Sequence, residues 1–209
     1  MNPSDILIIG DSFCSDRYKQ STWPKLVFSN LLNLPYDSII TPKGCGYAGA
    51  SWWSSRTELL ENLKLHTPKV AIFCHTEPNR LPSNNNYALN LASVAAKTIY
   101  KCDGKTFTNI KNNRLLAAAG LYYEQLWTRE YSVWAVTQWF KELDELTQGI
   151  EKILHFYSFS GEYTNYTFRN GTTFADSLVT YAVPEDVSVG NHFNLANNMK
   201  LAKLILKYV

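Results

Sequence analysis

Four consecutive apolar residues, Ile6-Leu7-Ile8-Ile9, run directly into Gly10-Asp11-Ser12. A short run of β-branched and leucine side chains with no polar alternation fits a strand buried on both faces, as in a parallel sheet. Val70-Ala71-Ile72-Phe73-Cys74 is a second run of this kind. Parallel neighbours need long crossovers, usually helical, and the chain between these runs supplies the helical patterns. Such an α/β sheet presents the carboxyl ends of its strands along one edge, and ligands bind at that edge. Asp11 and Ser12 therefore stand where a serine hydroxyl can act as a nucleophile, provided a base reaches it. Capping of the next turn is the competing reading of the same two residues.

Taken in order, Thr22-Trp23-Pro24 opens a helix with a hydroxyl cap and an early proline, ended by Asn33 to Pro35. Tyr36 to Thr41 reads as a second strand and Ser51 to Leu65 as a helix with Leu59, Leu60 and Leu63 inward. The Val70 run is the third strand, and it delivers His75-Thr76-Glu77-Pro78-Asn79-Arg80 to the same edge as Ser12. Leu81 to Gly149 shows no strand. It reads as a helix from Asn84 to Ala96, a polar loop from Lys101 to Lys111, and helices over Leu115 to Trp127 and Tyr131 to Leu146. Ile153 to Phe159 and Ser177 to Val183 complete five strands, and a last helix from about Asn194 carries Leu195, Met199, Ala202, Ile205 and Val209 on one face. The expected architecture is a single α/β domain over 1–209 with a flavodoxin-like parallel sheet of order 2-1-3-4-5 and a long helical insertion after strand three. That insertion leaves from the functional edge. It is expected to border the site near Ser12, with Tyr87, Tyr122 or Trp127 offering aromatic contacts.

Charge and composition narrow the classes of partner. A net charge of +2 with no Lys/Arg block gives no footprint for nucleic acid. No apolar run approaches the ~18 residues of a membrane span. The opening Met-Asn-Pro-Ser-Asp lacks the basic and apolar regions of a signal peptide, so a cytoplasmic or otherwise non-secreted protein is expected. The sequons at Asn165 and Asn170 then carry no sugar. Cys14, Cys45, Cys74 and Cys102 form no CxxC pair, which fits reduced thiols. Thirteen Tyr, ten Phe and six Trp suit a bulky core or a surface facing sugar or lipid. Gly44 to Gly49 matches GxGxxG, but it follows the second strand and no acidic residue stands at the spacing a dinucleotide site needs. His75, Glu77, His192 and Cys74 are possible metal ligands by type, yet none has HExxH or CxxC spacing. No metal or cofactor is expected.

His192 lies just ahead of the terminal helix, at a passage that can face the crevice of Ser12 and the His75 to Arg80 loop. With that residue placed, the chain resembles the GDSL or SGNH hydrolases. Gly10-Asp11-Ser12 is similar to their first block, whose serine is the nucleophile. Gly49-Ala50-Ser51 resembles the second, whose glycine amide helps to bind the oxyanion, and His192-Phe193-Asn194 before a terminal helix resembles the last. The resemblance implies a three-layer α/β/α fold and ester hydrolysis through an acyl-enzyme. Two positions depart from the pattern. The third block, Gly-x-Asn-Asp in the family, reads His75-Thr76-Glu77-Pro78 here, with Asn79 two residues on as a substitute oxyanion donor. The acid three residues before the histidine is replaced by Val189, leaving Asp186 or Glu185 to orient His192.

The expected function is hydrolysis of a small acyl ester, a carbohydrate O-acetyl or short-chain ester. Ser12 attacks and His192 serves as base, oriented by Asp186. The amides of Ser12 and Gly49, with Asn79, form the oxyanion site, while Asp11, His75, Glu77 and Arg80 line the substrate pocket. The alternative is a glycan- or ligand-binding protein on the same scaffold with an eroded hydrolytic site, consistent with the two departures.

Overall fold

In a computed structural model, residues 1–14, 22–39, 50–82, 87–96, 98–101, 107–109, 114–181 and 193–209 are described. The elements are β1 (Ile6–Gly10), α1 (Trp23–Leu32), α2 (Trp52–Leu63), β2 (Val70–His75), β3 (Tyr87–Ala88), α3 (Leu91–Ala96) and β4 (Thr98–Lys101). They continue with β5 (Phe107–Asn109), α4 (Arg114–Gln125), α5 (Arg129–Leu146), β6 (Lys152–Tyr157), β7 (Thr172–Thr173) and α6 (Leu195–Ile205).

A parallel sheet of four strands, in the order β1-β2-β6-β7, forms the centre. Its register pairs Gly10 with Cys74 and His75 with Tyr157, so the three long strands end level at their carboxyl edge. Side-chain alternation divides the apolar residues between two faces. Ile6, Ile8, Val70, Ile72, Cys74, Leu154 and Phe156 pack with Trp23, Val27 and Phe28 of α1 and with Leu201, Ala202 and Ile205 of α6. Leu7, Ile9, Ala71, Phe73, Ile153 and Tyr157 pack with Leu59 of α2 and with Val136, Trp139, Phe140 and Leu143 of α5. Each fully buried Ile, Leu, Val or Phe among them contributes about 1.5–3 kcal/mol.

Several expectations are corrected. Among the described residues the parallel sheet has four strands, not five. Tyr36–Ser38 is a 3-10 turn begun by Pro35, whose fixed φ suits a turn, and the rest of that expected strand beyond Ile39 lies outside the described residues. Leu178–Tyr181 is likewise a 3-10 turn, with Leu178 plugged into the core. The edge of the sheet is taken instead by Thr172–Thr173, pairing with Leu154 and His155. The segment expected to hold no strand contains a small antiparallel sheet, β3-β4-β5. Tyr87–Ala88 is strand where a helix was expected, and that helix shortens to α3.

The terminal helix buries its expected face in part: Ala202 and Ile205 face the core and Val209 packs against it. Leu195 and Met199 are exposed, and Asn198, Leu201, Ala202 and Ile205 point inward. Asn198 turns in because it has polar work there. Its Oδ1 accepts from the Trp23 amide at 2.8 Å, and its Nδ2 donates to the Phe193 carbonyl at 3.1 Å. Thr22, the expected cap of α1, makes no side-chain cap bond, so Asn198 supplies one of the acceptors the first turn lacks.

Candidate active site at the carboxyl edge of the sheet

Gly10 ends β1 against its neighbour strand. A Cβ there would lie 2.6 Å from both Cys74 Cβ and the Cys74 carbonyl oxygen, and 2.9 Å from Cys14 Sγ. Only glycine allows this approach, so the first residue of Gly10-Asp11-Ser12 is set by packing. Beyond it the chain turns into a 3-10 segment, Ser12–Cys14. Asp11, with no exposed surface, controls this turn: its Oδ1 accepts from the Phe13 amide at 3.0 Å and from the Ser158 hydroxyl at 2.9 Å. Ser12 stands at the opening of the turn, half-buried. The Trp23 indole donates to the Phe13 carbonyl at 2.7 Å and pins the turn from the α1 side.

The loop leaving β2 lies beside this turn. Arg80 is 7% exposed, with its Nη1 at 3.7 Å from Asp11 Oδ2 and its Nε at 3.8 Å from Glu77 Oε2. Both separations exceed the 2.7–2.9 Å of a charge-assisted hydrogen bond. Asp11 Oδ2, Thr76 Oγ1, Asn79 Oδ1 and the Nε and Nη1 of Arg80 are buried and have no hydrogen-bond partner among the described residues. The guanidinium lies 5.1 Å from the Phe159 ring centre, and Phe159 meets Phe13 edge to face at 5.4 Å. Tyr163 donates to the Thr76 carbonyl at 3.1 Å. Burial, together with the negative neighbours Asp11 and Glu77, holds its hydroxyl well above the usual tyrosine range. Tyr123 of α4 donates to the Asn79 carbonyl at 2.5 Å, tying the inserted segment to this loop. Tyr123 is not among Tyr87, Tyr122 and Trp127, the aromatics expected to offer contacts near Ser12.

The structure thus brings Ser12, Asp11, Glu77, Asn79 and Arg80 to one edge. Asp11 and Arg80 lie beneath the surface, so they support the loops, while Glu77 is half-buried. His75 departs from its expected place on the pocket wall. As an odd-numbered residue of β2 it shares the face of Phe73, and its ring packs among Phe140, Tyr157, Phe168 and His155. Cys74 belongs to the opposite face, so Cys74 and His75 cannot converge on one ion. Among the described residues no three His, Cys, Asp or Glu side chains group as metal ligands. Gly49, Asp186 and His192 lie outside the described residues, as does the rest of Gly44 to Gly49. Their neighbours are described: Ser51 caps α2 through the Ser54 amide, and Phe193 packs on Phe13 with ring centres 5.4 Å apart.

Beneath the edge lies a polar chain absent from the sequence reading. His155 Nε2 meets the Asn170 carbonyl at 3.1 Å, and His155 Nδ1 meets His75 Nε2 at 3.0 Å. A carbonyl only accepts, so Nε2 of His155 carries its proton and Nδ1 is left to accept from His75. Burial lowers both rings, His155 to about 4 and His75 well below the ordinary histidine value, and the neighbouring His155 adds to the effect on His75. Phe168 stacks on His155 at 3.7 Å. Asp144 fixes the loop that presents Phe168 and Asn170, accepting from the Tyr166 hydroxyl and the Arg169 and Asn170 amides. A histidine within the apolar run Ile153 to Phe156 was the available sequence signal, since a buried polar ring in a core strand requires a partner.

No protein-family profile, curated protein or solved structure matches the chain. Among the described residues no helix is long and apolar enough to cross a membrane.

Proposed function

We propose that the chain is a serine esterase of the GDSL/SGNH kind, acting on a small acyl ester such as a carbohydrate O-acetyl group or a short-chain ester. One observation carries this reading. Phe193, the residue after His192, packs on Phe13, the residue after Ser12. Adjacent Cα atoms are ~3.8 Å apart, so this contact supports a base and a nucleophile drawn from opposite ends of the chain. The Trp23–Asn198 and Trp23–Phe13 hydrogen bonds reinforce it by joining the Ser12 turn to the start of α6. Apolar packing on both faces of the parallel sheet is compatible with a three-layer, flavodoxin-like arrangement around this edge.

In this reading the Ser12 hydroxyl attacks the ester carbonyl while His192 takes its proton. The amides of Ser12 and Gly49, with the Asn79 side chain, receive the developing oxyanion. Collapse expels the alcohol, which regains the proton from His192, and water then releases the acyl group from Ser12. Asp186 orients the imidazole. The test is hydrolysis of a p-nitrophenyl ester series by the wild type beside Ser12→Ala. The alanine variant is expected to lose at least about 10³-fold in kcat. Equal rates in the two proteins refute the assignment. A wild type with no turnover, but a melting temperature raised by a glycan, favours the ligand-binding alternative.

A further inference from the structure

We propose that Ser158 is a positioning residue for Ser12, acting through the carboxylate of Asp11; the inference rests on Ser12 being the nucleophile. Ser158 has no exposed surface and follows directly on β6. Its backbone is held from both sides: its amide donates to the His75 carbonyl at 2.8 Å, and its carbonyl accepts from Val179 at 2.9 Å. With the backbone fixed, its hydroxyl reaches Asp11 Oδ1 at 2.9 Å, across 147 positions of sequence.

Asp11 is subject to two competing attractions. Its Oδ1 holds the Phe13 amide and so closes the turn on which Ser12 sits. Among the described residues its Oδ2 has no hydrogen bond and faces Arg80 Nη1 at 3.7 Å, with Nη1 and Nε likewise without one. A shift of roughly 1 Å would shorten that pair to the charge-assisted range and draw the carboxylate off the Phe13 amide. Ser158 opposes the shift. Its hydroxyl holds Oδ1 on the turn, and Ser12 therefore keeps one orientation relative to the carboxyl edge. Misplacement of a reacting group by about 1 Å can cost up to 100-fold in rate.

The experiment measures covalent labelling of Ser12 by a p-nitrophenyl phosphonate, together with kcat and KM for p-nitrophenyl acetate. It uses wild type, Ser158→Ala, Asp11→Asn and the double variant. Ser158→Ala is expected to slow labelling and lower kcat by about 10- to 100-fold with KM within about twofold. In the Asp11→Asn background there is no carboxylate charge to be drawn to Arg80, so adding Ser158→Ala costs less than about threefold. A plain packing defect would cost the same in both backgrounds, and that result overturns the proposal. So does wild-type labelling by Ser158→Ala. If Ser158→Ala does not fold, the near-isosteric Ser158→Cys, a weak donor, decides: slowing by about tenfold is expected, and an unchanged rate overturns the proposal. A wild type that fails to label at all refutes the esterase reading itself, and the positioning role with it.

Discussion

Acid should unfold this protein through the histidine pair, and His155 sets the size of the effect. Its folded value is about 4, caused by burial, against ~6.5 in an unfolded chain. Above about pH 6.5 both states are neutral and the pair contributes its full stability. As pH falls below that, the unfolded chain binds a proton that the native ring refuses, so stability declines until the folded value is reached. The limiting loss is about 3 kcal/mol, and about 2 kcal/mol is already gone at about pH 5, a large share of an ordinary 5–15 kcal/mol. His75 shifts in the same direction and adds to the loss in the same window. Protonation also breaks the hydrogen-bond chain, because a charged His155 presents a second N–H to the N–H of His75. His155→Gln can donate to Asn170 and accept from His75 without titrating. Urea unfolding of both proteins from about pH 7.5 to about pH 5 should show the wild type losing about 2 kcal/mol more than the variant. Parallel stability curves would refute the reasoning, since the absolute stability of either protein does not enter.

Gly10→Ala should destabilise by about 1–3 kcal/mol, because its methyl group meets Cys74 and Cys14 inside van der Waals distance; an unchanged urea midpoint contradicts this. Tyr123→Phe removes the donor to the Asn79 and Leu89 carbonyls and should cost about 1 kcal/mol. Hydrogen exchange at the Leu81 amide, bonded to Leu89, should quicken in that variant, and unaltered protection there would show that Tyr123 is not the latch.

The legible parts of this fold were those decided by local pattern. β1 and β2 announce themselves because a strand buried on both faces needs an apolar run, β6 because its run is interrupted only by His155, and α5 because its expected bounds match a three-to-four-residue apolar spacing. β7 gave no such signal: two exposed threonines join the sheet through backbone pairing alone. Thr98-Ile99-Tyr100 did carry β-branched and aromatic residues, but polar neighbours and short length hid β4 and its partners. At the site, Gly10, Asp11 and Ser12 were readable as a strand end. Ser158, Asp144 and Phe168 were not, because what makes each of them matter is a contact with a distant segment. Trp134 shows that aromatic chemistry alone does not fix burial, being 59% exposed and stacked on Tyr131.

The hydrogen bond from the Trp23 amide to Asn198 spans 175 positions and has a consequence for the making of the chain. A ribosome adds about 5–20 residues per second, so α1 emerges roughly ten seconds or more before the helix that completes its first turn. Through that interval Trp23, Val27 and Phe28 have no α6 to cover them, and Phe13 lacks the Phe193 ring that packs on it. Chaperone occupancy on nascent chains should therefore concentrate on this face and fall away only as residues near 198 clear the exit tunnel. An edge that joins segments 175 positions apart is complete, in synthesis, only once the later segment has emerged.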